Sequence, residues 1–256
     1  MYTDIFDTHA HYDDERFAED LDSVLSGLPL SGVTAVVNCA TDIGSCEKCL
    51  KMAEAYSFIY FAAGIHPHEA EDSEADFIEK LKIFASHNKC VAIGEIGLDY
   101  HYDFSPREKQ KDVFEKQLIL AKELDLPVII HDREAHQDTY DLLKKYNPKG
   151  IVHCFSGSAE MARDIVNLGM YIGLGGAVTF KNAKKPVEVA KYVPLDRLVL
   201  ETDCPYMSPV PFRGKRNESS LISYTAEFIS EIKGIPTQEL LKKTSENAQI
   251  IFAVKV

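Results

Sequence analysis

Short apolar runs rich in β-branched residues recur along the chain at near-regular intervals. They are IFDTHAH (Ile5–His11), VTAVVNCA (Val33–Ala40), FIYFAAGIH (Phe58–His66), CVAIGEIG (Cys90–Gly97), LPVIIH (Leu126–His131), GIVHCF (Gly150–Phe155), MYIGLG (Met170–Gly175) and RLVLETD (Arg197–Asp203). Several are apolar almost without interruption, the pattern of a strand buried on both faces. Between them, stretches such as SPREKQKDVFEKQLILAKEL and ISYTAEFISEI carry helical spacing. Ser105, Pro106 and Glu108 predict one helix start, built from a serine N-cap, a first-position proline and a capping-box glutamate. No Pro/Gly/Ser-rich linker, charge block or low-complexity segment breaks the alternation. Eight strand-then-helix units predict an α/β fold, a (β/α)8 TIM-like barrel formed as a single domain over residues 1–256. A dinucleotide-binding fold is excluded, because GLGGAV lacks the required glycine spacing and comes late.

Barrels of this kind carry their chemistry at the carboxyl ends of the strands, and the polar residues gather there. Strand one ends in His9 and His11, strand three in His66, strand four in Glu95, strand five in His131, strand six in His153, and strand eight in Glu201 and Asp203. Asp7 shares the parity of His9 and is expected to point with it. His68, His87, His101 and His136 fall in or beside loops and helices and are expected to be ordinary hydrogen-bonded residues. Ionisable groups crowded into one barrel mouth would be desolvated and mutually repelling without a cation. Six ligands are too many for one tetrahedral zinc and suit two ions that share a carboxylate. The expected assignment gives His9, His11 and Asp203 to one ion and His131 and His153 to the other, with Glu95 between them. Two ions about 4 Å apart suit hydrolysis, since both can lower the pKa of a shared water and polarise the bond it attacks. The donors fit Zn, Mn, Fe or Co better than Mg, which prefers all-oxygen shells, with Mg and Ni left open. Asp203, with a second oxygen to spare, is the candidate general base. Glu201 either orients a ligand histidine or forms half of a buried salt bridge, and Asp7 carries the same two alternatives.

Charge narrows the substrate question. The chain has 28 Lys+Arg against 40 Asp+Glu, a net charge of −12, so bulk attraction to polyanions is excluded. Any phosphate must meet local positive charge. Arg213, Lys215 and Arg216 in FRGKRN, Lys181, Lys184 and Lys185 in TFKNAKK, and Arg133 in HDREA supply candidates; loops after strands seven and eight often bind phosphate in barrels. His66 is a candidate donor to the same group, and Tyr102, Phe155 and Phe180 are candidates for base stacking. The six cysteines, including the lone C-x-x-C of Cys46 and Cys49, are expected to be reduced packing residues. With no apolar stretch near ~20 residues and no basic-then-apolar leader, a cytoplasmic protein without membrane contact is expected.

DTHAHYD, GIHPH, GEIGLDYHYDFSPREKQKDVFEKQL, PVIIHDREA, HCFSG and ETDCPYMSPVPFRGKRNE, taken together, resemble the TatD-type metal-dependent hydrolases, a nuclease branch of the amidohydrolase superfamily. The six motifs keep their order from Asp7 to beyond Asn217. The resemblance implies a TIM-like barrel, two divalent cations and hydrolysis of DNA phosphodiesters, often as a 3′-to-5′ exonuclease on single strands or ends. It also implies that His9, His11, Glu95, His131, His153 and Asp203 are the metal ligands, and no obligate protein partner. Glu95 stands where the superfamily commonly bridges its metals with a carboxylated lysine, which separates the chain from the phosphotriesterase-like and dihydroorotase-like branches. A small-molecule amide or ester hydrolase, aminoacyl esters included, is the alternative that the acidic surface favours. A catalytically silent metal-binding scaffold is the remaining one.

Overall fold

The computed structural model describes residues 2–256. Eight strands form one sheet in chain order, with every neighbouring pair parallel: β1 (Ile5–Ala10), β2 (Val33–Cys39), β3 (Ile59–Ala63), β4 (Cys90–Asp99), β5 (Val128–Arg133), β6 (Gly150–Val152), β7 (Tyr171–Leu174) and β8 (Leu198–Leu200). Helices follow them in turn: α1 (Leu21–Gly27), α2 (Ile43–Ala55), α3 (Phe77–Ala85), α4 (Arg107–Glu123), α5 (His136–Tyr146), α6 (Ala159–Asn167), α7 (Lys184–Tyr192) and α8 (Ile222–Lys233), with a further helix, α9 (Thr237–Phe252). The barrel closes where the chain beyond β8 meets β1. There the Asp203 amide donates to the His9 carbonyl at 2.9 Å and the His11 amide to the Cys204 carbonyl at 2.8 Å. The expected (β/α)8 architecture is therefore present.

Two layers of apolar packing hold it. The larger lies between strands and helices. The smaller fills the barrel with a contribution from every strand, including Phe6, Val37, Ala62, Ala92, Ile129, Ile151, Tyr171 and Val199, and takes in Ala248 and Phe252 of α9. The Phe252 ring stacks on Phe6 with centroids 6.0 Å apart. The polar mouth thus stands on a packed floor. Cys46 and Cys49 are buried free thiols, as expected of packing residues.

Strand ends depart from expectation in an informative way. The runs expected to continue to Phe155 and Asp203 leave the ladder at Val152 and Leu200. Cys154 and Asp203 adopt left-handed backbone, with φ of 41° and 56°, which a strand does not tolerate. His153 and Asp203 consequently rise over the barrel mouth. Ser105 is not an N-cap: α4 begins after Pro106 without a side-chain cap. The Ser105 hydroxyl instead donates to the His68 carbonyl at 2.8 Å and accepts from the Glu71 amide at 3.0 Å, tying two loops together.

Gly97 pairs with His131 across β4 and β5. Its φ is +150°, and a Cβ there would lie 1.9 Å from the His131 carbonyl oxygen. Gly97→Ala is expected to destabilise the fold by about 3 kcal/mol or more, the sum of an unfavourable backbone and a main-chain collision. Urea unfolding measures this, and a loss below about 1 kcal/mol would show that the two strands can part without cost.

Candidate metal centre

Glu95, near the middle of β4, is buried at the centre of the cluster, and its two oxygens face different partners. Oε2 lies 3.2 Å from His9 Nε2 and 3.3 Å from His11 Nε2. Oε1 lies 2.7 Å from His131 Nδ1 and 2.8 Å from His153 Nε2. Asp203 completes the first side, with Oδ1 at 3.7 Å from His9 Nε2 and 3.5 Å from His11 Nε2. The six candidate ligands thus converge, three of them (His9, His11 and Asp203) forming one compact group and the rest meeting at Glu95.

Local structure aims these side chains. The His11 Nδ1–H donates to the Cys39 carbonyl at 2.9 Å, which leaves Nε2 with its lone pair toward the cluster. The His131 Nε2–H donates to Asp99 Oδ2 at 3.1 Å and leaves Nδ1 toward Glu95. A carboxylate behind a histidine in this way fixes its tautomer and raises its basicity. Two buried glutamines of α4, seven residues apart and so on one helix face, grip the strand ends. Gln110 accepts from the Asp99 amide at 2.9 Å and donates to the Asp99 carbonyl at 3.1 Å. Gln117 does the same at Ile65, at 2.7 and 3.0 Å, directly before His66.

The donor set fits a divalent cation. His9 Nε2 and His11 Nε2 face each other at 3.0 Å, and His9 Nδ1 is buried without a partner. Two ring nitrogens and two carboxylate oxygens at such distances are stabilised together only by positive charge among them. The electrostatics agree. Burial opposes the charge on Glu95, yet His153, His9 and His66 around it hold its carboxyl well below the usual range. Burial likewise works against protonation of His131, but Asp99 and Glu95 raise it to about 9. A cation at the same nitrogen displaces that proton.

Three expected residues take different places. Asp7 does not reach a histidine ring. The register of β1 slips between Asp7 and Ala10, and both carboxylate oxygens are committed: Oδ1 accepts from the amides of His9 and Thr202, and Oδ2 from the hydroxyls of Thr202 and Ser219. Burial pushes its carboxyl up to about 6 despite these bonds. Glu201 has no Lys or Arg partner among the described residues, so the salt-bridge alternative is not found. Its Oε1 accepts from the Cys154 amide at 2.5 Å and stands 3.7 Å from His153 Nδ1, and burial pushes its carboxyl up to about 8. Gly173 makes room for it, since a Cβ there would lie 2.5 Å from Glu201 Oε2. Arg216 turns away from the mouth, bonding both oxygens of Asp20 at 2.7 and 2.6 Å and lying 4.6 Å from the centre of the Phe17 ring.

The sequence profile of the TatD-related DNase family matches residues 6–253. The chain belongs to this family. It is 46% identical over 253 residues to the metal-dependent hydrolase YabD of Bacillus subtilis (strain 168), with 98% of this chain and 99% of that protein covered. A Pantoea ananatis (strain LMG 20103) protein named 3'-5' ssDNA/RNA exonuclease TatD is 31% identical over 259 residues, covering 98% of this chain and 100% of that one. The crystal structure of YjjV, a TatD homologue from Escherichia coli K12, matches at a TM-score of 0.93 and 33% identity over 100% of both chains. As a member of the TatD-related family, the chain is a metal-dependent hydrolase.

The mouth of this TatD-type barrel is a cavity of about 1240 Å³, lined by His66, Arg133, Arg213 and Lys215 together with Tyr102, Phe155 and Phe180. Lys181, Lys184, Lys185 and Arg216 do not line it. His66 Nδ1 accepts from the His68 amide at 3.2 Å, so the proton sits on Nε2, 3.6 Å from Glu95. Burial lowers its pKa to about 4, so the ring is neutral, and it stands with Glu95 and His131 in a third group of possible metal donors. Sequence reasoning missed Asp99, whereas His68 is hydrogen-bonded as expected. Asp99 stands four residues past Glu95 on the same strand, a parity that marks it, and also bonds His68 Nε2 at 2.9 Å. Asp99→Asn is expected to weaken cation binding about 10–100-fold. Calorimetric titration with Mn²⁺ measures it, and unchanged affinity would show that His131 needs no such support.

Proposed function

We propose that the protein hydrolyses phosphodiester bonds at single-stranded ends of DNA, with two divalent cations (Zn, Mn, Fe, Co, Ni or Mg) held by His9, His11, Glu95, His131, His153 and Asp203. The observation that carries this reading is Glu95, whose two oxygens address two separate groups of histidines. Bound cations supply Lewis acidity, lowering the pKa of a water and neutralising charge on the phosphate. The chain's own residues do the rest. His66 donates its Nε2–H to a non-bridging oxygen. Asp203 lines the cavity and uses one oxygen toward His9 and His11; the other takes the proton from the attacking water. Arg133, Arg213 and Lys215 bind flanking phosphates, and Arg216, committed to Asp20, does not. Glu201 and Asp7 hold position, the first through His153 and the Cys154 amide, the second by clamping the backbone of His9 to Thr202.

The name of the Pantoea ananatis relative supports the nucleic-acid class. The net charge of −12 favours the second reading, a small-molecule amide or ester hydrolase on the same cations. Metal-loaded protein incubated with end-labelled single-stranded DNA, and separately with a panel of esters and amides, decides between them. Stepwise shortening of the DNA is the expected result, and turnover confined to the panel would overturn it.

A further inference from the structure

Tyr102 and Phe104, in the segment joining β4 to α4, have no part in the cluster around Glu95. They are 49% and 65% exposed, yet both line the cavity. Their rings stack, with centroids 5.2 Å apart and planes 26° from parallel. Asp103 between them is left-handed at φ 55° and accepts from Arg107 Nε at 3.1 Å, which fixes the turn that presents both rings. The Arg133 guanidinium lies 4.7 Å from the centre of Tyr102. Phe104 meets the His68 ring edge-on at 4.8 Å. His68 and His131 share the Asp99 carboxylate. The rings are therefore joined side chain by side chain to the candidate ligands.

Exposed stacked rings with an arginine alongside are a surface for flat heteroaromatic groups carried on a phosphate chain. Bases at a blunt duplex end stay stacked on one another, whereas those of a single strand are free to leave. We infer that Tyr102 and Phe104 form a stacking shelf for a base at a single-stranded nucleic-acid end, one or two nucleotides from the bond cut, with Arg133 against the adjoining phosphate. This rests on the nuclease reading above and adds the group that selects unpaired ends.

The test uses the metal-loaded full chain and two internally labelled single-stranded oligonucleotides of equal length. One is natural, and the other has abasic residues at the last three positions of each end. Wild type is expected to favour the natural strand about tenfold in kcat/KM, through KM, because each stacked base contributes on that order. In Phe104→Ala and Tyr102→Ala the preference falls to about one- to twofold, and in Phe104→Trp it returns, as stacking requires. Circular dichroism melting checks folding. Should Tyr102→Ala not fold, the more exposed Phe104→Ala carries the comparison. Equal cleavage of both strands by wild type, or an undiminished preference in Phe104→Ala, overturns the shelf and leaves the nuclease reading standing. Cleavage of neither strand overturns both.

Discussion

Glu95→Ala is expected to empty both halves of the cluster in one step. One oxygen of Glu95 faces His9 and His11 and the other faces His131 and His153, so a single truncation removes a carboxylate oxygen from each side. Four imidazoles then converge with Asp203 as the one carboxylate left among the six candidate ligands. Metal measured by mass spectrometry after dialysis is expected to fall from about two ions per chain to a small fraction of one, and turnover by about 10³-fold or more. Metal content equal to wild type would refute the bridging position. Chelation of the wild-type protein should reproduce the loss, and added Mn²⁺ or Zn²⁺ should reverse it, since the fold rests on its two apolar layers and not on the ions.

Asp203→Asn separates binding from chemistry. The amide oxygen can still face His9 and His11, so most of the metal is expected to remain. An amide cannot take the proton from water, however, and turnover is expected to drop about 10²–10⁴-fold, the range for loss of a general base. KM should change little. If metal is lost in parallel with activity, Asp203 acts only as a ligand; if both survive, another group receives the proton.

The barrel was legible because eight apolar runs and the helical stretches between them follow from burial alone. The cluster was legible because polar residues closing such runs have few reasons to be there. What stayed hidden depends on contacts distant in sequence or on local breaks in register. Asp7 has the parity of His9, but the slip in β1 that changes its partners leaves no mark in the residues themselves. Arg213 and Arg216 are alike in a short basic run; only the position of Asp20, almost two hundred residues earlier, turns one of them aside. Ser105 has every feature of a helix cap, yet the His68 carbonyl and the Glu71 amide claim its hydroxyl. Asp99 was within reach of parity, and the two glutamines of α4 show as polar residues on a buried helix face.

The seam between the chain beyond β8 and β1 has a consequence for biosynthesis. His9 and His11 precede Asp203 by almost two hundred residues, so the ribosome delivers the first pair well before the third. Until the strands have circled back and the Asp203 amide has met the His9 carbonyl, the first pair of imidazoles lacks its third donor. A chain translated only as far as β7 therefore lacks one of the six candidate ligands, and the cluster cannot be complete before the tertiary structure is.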